Sequence, residues 1–467
     1  MKICHFAQLP LSLHLNMDNR KATLALGTEP VGRLLLQYAT PAIVAMMASS
    51  LYNMVDSIFI GQGVGPMAIS GLAITFPFMN LSAAFGAAVG IGASTTLSVK
   101  LGQRDYQTAQ KILGNTVSLN TITGIVFGVM SLIFLAPILR LFGATDNNLP
   151  YASEYMTVLL IGNVITHQYF GLNALLRAAS KPRTAMYTTI FTVVLNTVLD
   201  PIFIYVFDMG IRGAARATIL SQAIALAWQL RVFSNSNEIL HFRKGCYKLH
   251  ADIVKNIIAI GMSPFSMNAC SCIVVILINT TLVKYGGDMA VGAYAILNRI
   301  SFIFFMVVMG INQGMQPIAG YNYGAQKYDR LMRVLKLSVI IASVVTVTGW
   351  LVGELAPYPC ARLFTRDKQL IDMSIHAIRI TMMCFPVIGF QAVTTNFFQS
   401  IGKAKISIFL SLSRQMIFLL PLLVILPPSM GVDGVWWSLP ISDTIAFLVT
   451  LMIMLIYMRK IKTGNGN

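Results

Sequence analysis

Asp56, Asp200 and Asp443 stand inside long apolar stretches of the chain, with Glu354 near the end of another, while most of the 17 Asp and Glu fall between such stretches. An ionisable group at the centre of a membrane-crossing helix costs at least about 2.5–3.5 kcal/mol on insertion, so a carboxylate that persists there is a functional candidate. Asn196 precedes Asp200 by one helical turn, which puts both on one face. No Lys or Arg lies deep in the apolar stretches around Asp56 and Asp200. Two desolvated carboxylates without a cation take up a proton near neutral pH, or hold Na⁺ with help from neighbouring oxygens such as the Asn196 amide. The plainer reading is that Asp56 caps a helix end and Asp200, next to Pro201, accepts local backbone donors; the coincidence of two acids with Asn196 favours one shared site. Asp443 has a different setting, because Arg299, Arg379 and Arg414 all lie in its half of the chain. It reads first as one partner of a buried ion pair, and Asp443 and Arg299 remain secondary candidates for the site.

Other signals are weaker. Pro41 lies about four turns before Asp56 and removes a backbone hydrogen bond, so it marks either a fixed bend or a hinge. Gly86 to Gly92 is glycine-rich, but it sits inside an apolar stretch with no strand before it and no Walker motif anywhere, so close helix packing explains it better than phosphate binding. His167 and His376 have no partner at metal-ligand spacing, and the six cysteines, Cys4, Cys246, Cys270, Cys272, Cys360 and Cys384, form no even framework. No enzyme, cofactor or metal centre is expected, with Na⁺ at Asp56, Asn196 and Asp200 as the single exception. The 26 Met and 26 Phe could line an adaptable pocket, although most would face lipid or pack between helices.

These residues need long apolar helices to carry them. Of the 467 residues 56% are hydrophobic and 11% charged, far from the roughly 25% charged of a soluble domain. Stretches such as 43–60, 112–139 and 190–206 approach or exceed the roughly 20 residues that span a bilayer. About twelve spans are expected, near 34–61, 70–98, 112–140, 152–178, 184–207, 214–232, 255–284, 290–320, 335–358, 372–400, 405–426 and 433–458. The net charge of +17 would suggest nucleic acid for a soluble protein, but its placement points elsewhere. With both termini cytoplasmic, most Lys and Arg fall inside, and only Arg140, Arg212, Arg216, Lys284, Arg362, Arg366 and Lys368 fall outside. The first residues, Met1 to Asn16, make a poor signal peptide, and Met17 reads as the start of translation.

The chain also repeats itself. Gly65-Pro66-Met67-Ala68 aligns with Gly287-Asp288-Met289-Ala290 at an offset of 222, and the same offset pairs Gly92 with Gly314, Gly102 with Gly324, Tyr106 with Tyr328 and Lys181 with Lys403. Met209-Gly210-Ile211 pairs with Met430-Gly431-Val432 at 221. Six spans per copy is an even number, so the halves are expected to be parallel lobes related by a pseudo-two-fold axis along the membrane normal. The expected organisation is a cytoplasmic segment 1–33, a lobe at 34–232, a polar basic linker at 233–254, a second lobe at 255–458 and a tail at 459–467. The positions matching Asp56 and Asp200 in the second lobe, near Ile278 to Asn279 and Leu420 to Pro421, hold no acid.

Val55-Asp56-Ser57-Ile58-Phe59-Ile60-Gly61, Asn196-Thr197-Val198-Leu199-Asp200-Pro201 and the loop Gly102-Gln103-Arg104-Asp105-Tyr106 with its copy at Gly324 resemble the multidrug and toxic compound extrusion (MATE) family, in its bacterial DinF-like and Mep-type branch. The likeness runs from about residue 30 to residue 460. It implies twelve helices in two lobes and export of cationic or amphipathic drug-like molecules against H⁺ or Na⁺. By position it assigns Asp56, Asn196, Asp200 and Thr218 to the first lobe's cation site, Pro41 to a bending proline and Tyr155 to a weaker match. Another branch carries acids in the seventh and tenth helices, and this chain has none from Met262 to Val283 or from Met373 to Gln399. The resemblance further implies a multi-pass protein of the bacterial inner membrane, surrounded by lipid, working as a monomer without a nucleic-acid partner. The alternative is a flippase for lipid-linked oligosaccharides, which shares the fold and needs a basic cavity for pyrophosphate.

Overall fold

A computed structural model describes residues 23–243 and 245–462; Cys4, Met17 and the residues after Lys462 lie outside them. Among the described residues every regular element is a helix. The first half comprises α1 (Val31–Gly63), α2 (Pro66–Gly102), α3 (Tyr106–Ile133), α4 (Leu149–Ile161 and Asn163–Ala178), α5 (Pro182–Pro201) and α6 (Gly210–Ser234). The second comprises α7 and α8, the two arms of Ala251–Gly324, then α9 (Tyr328–Leu355), α10 (Lys368–Met382 and Phe385–Ser400), α11 (Ala404–Leu412, continuing through Ser413–Leu419 to Leu420–Ile425) and α12 (Val432–Lys462).

Eight of the described helices are long and apolar enough to cross a membrane, or nine with the two parts of α10 taken together. Ala251–Gly324 supplies two of the expected spans, because its chain turns at Gly287, where φ is 64°. The α4 span is split by Gly162 into pieces too short to qualify alone, and α6 is made more polar by Arg212, Arg216 and its glutamines. The twelve-span layout therefore holds, but α4 and α10 are broken rods. The two parts of α10 meet at 51° just before Pro386, whose missing N–H favours a helix start. Pro201 directly precedes a π-helical turn at Ile202–Val206, and Pro421 follows one at Ser413–Leu419 after Leu420, where the looser winding leaves room for the ring against the preceding turn.

Reciprocal packing gives the two halves their symmetry. Gly102 lies on the carbonyl of Tyr321, and Gly324 lies on the carbonyl of Val99, so that a Cβ on either glycine would overlap the opposing backbone. Tyr321 and Val99 are themselves separated by 222 residues, so each contact is the other's image. Gly92 likewise rests on Ile257 of α7, and Gly314 rests on Ala39 of α1. The small residues of α2 thus serve close packing between helices, with Gly90 against Gly171 in addition.

The apolar core is shared at one end of the bundle and divided at the other. Leu35, Leu97, Ile112, Leu175, Ile318 and Phe397 belong to one continuous cluster drawn from both halves. Towards the opposite end each half has its own, around Ile60, Tyr155 and Ile211 in the first and around Ile278, Leu297 and Trp436 in the second. One end is closed by joint packing, and at the other, the open end, no buried apolar cluster of the described residues joins the halves.

Candidate functional site

Asp56 sits on the open-end portion of α1, Tyr155 on α4, Asn196 and Asp200 on α5 and Thr218 on α6, and the structure brings all five together. Asn196 donates its amide to Asp200 Oδ1 at 3.3 Å and to Thr218 Oγ1 at 3.3 Å. The one-turn spacing thus places Asn196 beside Asp200, and α6 supplies the next oxygen. The carboxyl groups of Asp56 and Asp200 are adjacent, with the Tyr155 hydroxyl alongside Asp56. Relative exposure is 6% for Asp56, 1% for Asn196 and 0% for both Asp200 and Tyr155, so these are desolvated groups rather than surface acids.

Four oxygens in this cage are left without a hydrogen bond of proper geometry: Asp56 Oδ1, Asp200 Oδ2, Asn196 Oδ1 and Tyr155 OH. No salt bridge reaches either carboxylate among the described residues. Two like charges about 4 Å apart repel by roughly 4 kcal/mol even at an effective dielectric of about 20. The arrangement therefore suits a shared proton or a small hard cation, which oxygen ligands of this kind prefer. Among the described residues no group of three or more His, Cys, Asp or Glu could hold a metal ion, so a transition-metal site has no ligand set there.

Tyr52 is a site residue that the sequence reading missed. Its hydroxyl lies 3.0 Å from Thr218 Oγ1, joining α1 to α6 across the cage. Its position one turn before Asp56 on the same helix was the available signal. Beside the cage a cavity, about 880 Å³ with its solvent-open mouth included, is lined by Tyr52, Asp56, Phe76, Met79, Phe170 and Gln222 among others. Asp56 belongs to both the cage and this cavity, and the remaining walls are largely apolar and aromatic.

Pro41 lies in the interior of α1, and the helix runs through it unbroken from Val31 to Gly63. The segment around it is clamped, with Ala39 and Ile43 against Gly314 and Gly310 of α8. Asp443 pairs with Arg414, whose Nε donates to Oδ1 at 2.7 Å. Arg299 and Arg379, the other arginines expected near it, are exposed, and Arg299 lies over the ring of Phe364. Arg299 therefore has no part in the Asp56–Asp200 cage or in the Asp443 pair. His167 is buried with Nε2 bonded to the Ser82 carbonyl, and the exposed His376 bonds the partly buried Asp433.

The family profile described as MatE matches residues 41–202 and 260–425. The multidrug export protein MepA of Staphylococcus haemolyticus is 25% identical over 422 residues, covering 90% of this chain and 93% of that protein. MepA of Staphylococcus aureus strain MSSA476 is 25% identical over 425 residues, covering 91% and 94%. Among solved structures, the MATE multidrug transporter DinF-BH superposes with a TM-score of 0.85 at 35% identity, covering 93% of this chain and 97% of that one. An outward-facing MATE family transporter of the MOP superfamily superposes with a TM-score of 0.86 at 24% identity, covering 98% and 100%.

Proposed function

This chain belongs to the MatE family, whose members are membrane transporters rather than enzymes, and from that premise we propose that it exports cationic or amphipathic drug-like molecules in exchange for H⁺ or Na⁺. The observation that carries the reading is the cage of unpartnered oxygens at Asp56, Asp200, Asn196 and Tyr155, open on one side to an amphipathic cavity. Asp56 is the link between them. A cationic drug in the cavity and a cation in the cage draw on the same carboxylate, so binding of one weakens binding of the other. That competition is what exchange requires, since a ligand shifts an equilibrium only by its differential affinity.

In this reading the ion enters through the open end and neutralises the Asp56–Asp200 pair. The outer part of α1, held to its neighbours by the Tyr52–Thr218 bond, then shifts about Pro41 while its clamped segment stays against α8. One H⁺ or Na⁺ entering for one monovalent cationic drug leaving moves no net charge, so that exchange draws on the ion's concentration gradient, whereas export of a neutral amphiphile would also draw about 2.3 kcal/mol per 100 mV from the membrane potential. The reading places the closed end, the termini and the linker 233–254 on the cytoplasmic side of a bacterial inner membrane. It takes one chain, with lobes at 34–232 and 255–458, as the working unit in lipid.

Efflux of a cationic dye from proteoliposomes, driven separately by a pH gradient and a Na⁺ gradient, tests the proposal. Asp200→Asn should insert normally and lose gradient-driven efflux to the level of protein-free vesicles. Full efflux by a normally inserted Asp200→Asn protein would contradict the mechanism.

A further inference from the structure

A second cavity, whose space together with its solvent-open mouth is about 910 Å³, lies between α7, α8, α10 and α11, with Ile91 of α2 and Arg177 of α4 lining it from the first half. It borders the shared closed-end core, since Gln316 and Gln399 on its wall adjoin the core residues Met315 and Phe398. The coupling site uses none of its residues, and its chemistry is of another kind. Two guanidinium groups, Arg177 and Arg414, face a wall rich in carboxamides, with an apolar side formed by Met267, Phe305 and Met309. Asn312 and Gln391, each about nine-tenths or more buried, leave Oδ1 and Oε1 without a partner.

Charge decides what this cavity could hold. Arg414 is already paired through Nε with Asp443 at 2.7 Å, so that pair is neutral as a unit. Arg177 has only a neutral partner among the described residues, the side-chain oxygen of Asn173. The cavity therefore carries about one net positive charge and suits an anionic group of one charge; a guanidinium fork fits carboxylate and phosphate alike, and the single charge favours a carboxylate over a polyanion. The unpartnered amide oxygens call for donors on the same ligand, and the Met and Phe side calls for apolar surface.

We propose that this cavity is a second ligand site, which takes zwitterionic amphiphiles by holding their carboxylate between Arg177 and Arg414 and their N–H groups on Asn312 and Gln391. Arg177 belongs to the first half and Arg414 to the second, so the grip exists only while the halves are close at this level. Separating them there would release the ligand. The inference rests on the exporter reading for the direction of transport but not for binding.

Equilibrium binding to the full-length protein in lipid nanodiscs, with no ion gradient, isolates the site. The probes are a rhodamine dye bearing secondary amines and a free carboxylate, and the ethyl ester of the same dye, compared by fluorescence anisotropy. The wild type should bind the acid about tenfold more tightly than the ester, the scale of one charge-assisted pair. Arg177→Gln should abolish that preference while keeping the ester's affinity within about twofold, which also shows that the variant is folded. Arg414→Lys, which keeps the charge but not the fork, should reduce the preference. Asp200→Asn should retain it although coupled efflux is lost, so failure of the exchange mechanism and failure of this site give different results. No preference in the wild type, or an undiminished one in Arg177→Gln, would overturn the proposal. So would displacement of the dye by geranyl pyrophosphate at lower concentration than by a simple fatty carboxylate, because that marks a site for a polyanion.

Discussion

The open-end portions of the two halves have the same fold and opposite contents. At the spacing of 222, Asp56 corresponds to Ile278, Tyr52 to Val274 and Tyr155 to Ala377. In the second half these positions join Trp436, Leu419 and Leu423 in an apolar core, with Ile278 fully buried. In the first half they form a cage of oxygens beside a cavity. The second half shows what this scaffold does with the same positions when packing alone governs them. Acids in the first half are thus not required by the fold, and they impose a desolvation cost that an ion can offset.

The largest effect should come from transplanting the feature. Ile278→Asp places a carboxylate among apolar side chains with no oxygen partners and should destabilise the protein by at least about 3 kcal/mol. Asp56→Asn should leave the melting temperature unchanged or raised, since it removes a buried charge. Equal losses in the two variants would break the comparison. Thermal unfolding in nanodiscs reads both.

The pair Arg414–Asp443 supplies an intermediate test, because its acid has a cation and the cage acids do not. Asp443→Leu alone should cost about 2 kcal/mol, less than for a fully buried pair because Arg414 is partly exposed. Adding Arg414→Met should recover most of the loss. A double variant no better than the single one would show that the two side chains act independently.

A smaller change is expected at Tyr52→Phe, which removes the hydroxyl bond to Thr218 and should cost about 1 kcal/mol. Its mark should be a larger effect on efflux than on stability, and the reverse order would place Tyr52 outside the coupling.

The smallest effect separates the two halves at their loops. Asp105 caps α3 by accepting from the Thr108 N–H at 3.0 Å, whereas its counterpart Lys327 reaches back to the Gly27 carbonyl. Burial pushes the Asp105 carboxyl up, but hydrogen bonds from Thr108 and the charge of Lys100 outweigh it and hold the group below the usual carboxylate range. Its contribution is therefore present above the ordinary carboxylate pKa and lost as pH falls through the lowered value. Asp105→Ala should cost about 1 kcal/mol near neutral pH and less in acid, as measured by unfolding at several pH values.

Much of this was legible in the chain because lipid makes polar residues conspicuous. The spans, the repeat and the acid-free second copy follow from hydropathy and an offset, and Asn196 was found by a one-turn spacing. Tyr52 escaped because a tyrosine in an apolar helix has many ordinary explanations. The partner of Asp443 could not be chosen among three arginines, since the choice depends on how α11 and α12 face each other. The Arg177–Arg414 cavity was missed because, although Asn312 and Gln316 lie one turn apart on α8 and Gln391 and Gln399 two turns apart on α10, only the packing of the helices shows that these faces meet. The break of α4 at Gly162 and the turn at Gly287 depend on a few backbone angles, which hydropathy does not register.

The most direct test of the cage is proton release on drug binding, measured in weakly buffered solution with purified protein, alongside drug affinity as Na⁺ is added. The account predicts that binding of a cationic dye releases protons or is weakened by Na⁺, that Asp56→Asn with Asp200→Asn abolishes the linkage, and that Asp443→Asn retains it. Linkage that persists in the Asp56→Asn, Asp200→Asn double variant would contradict the assignment of the coupling ion to this site.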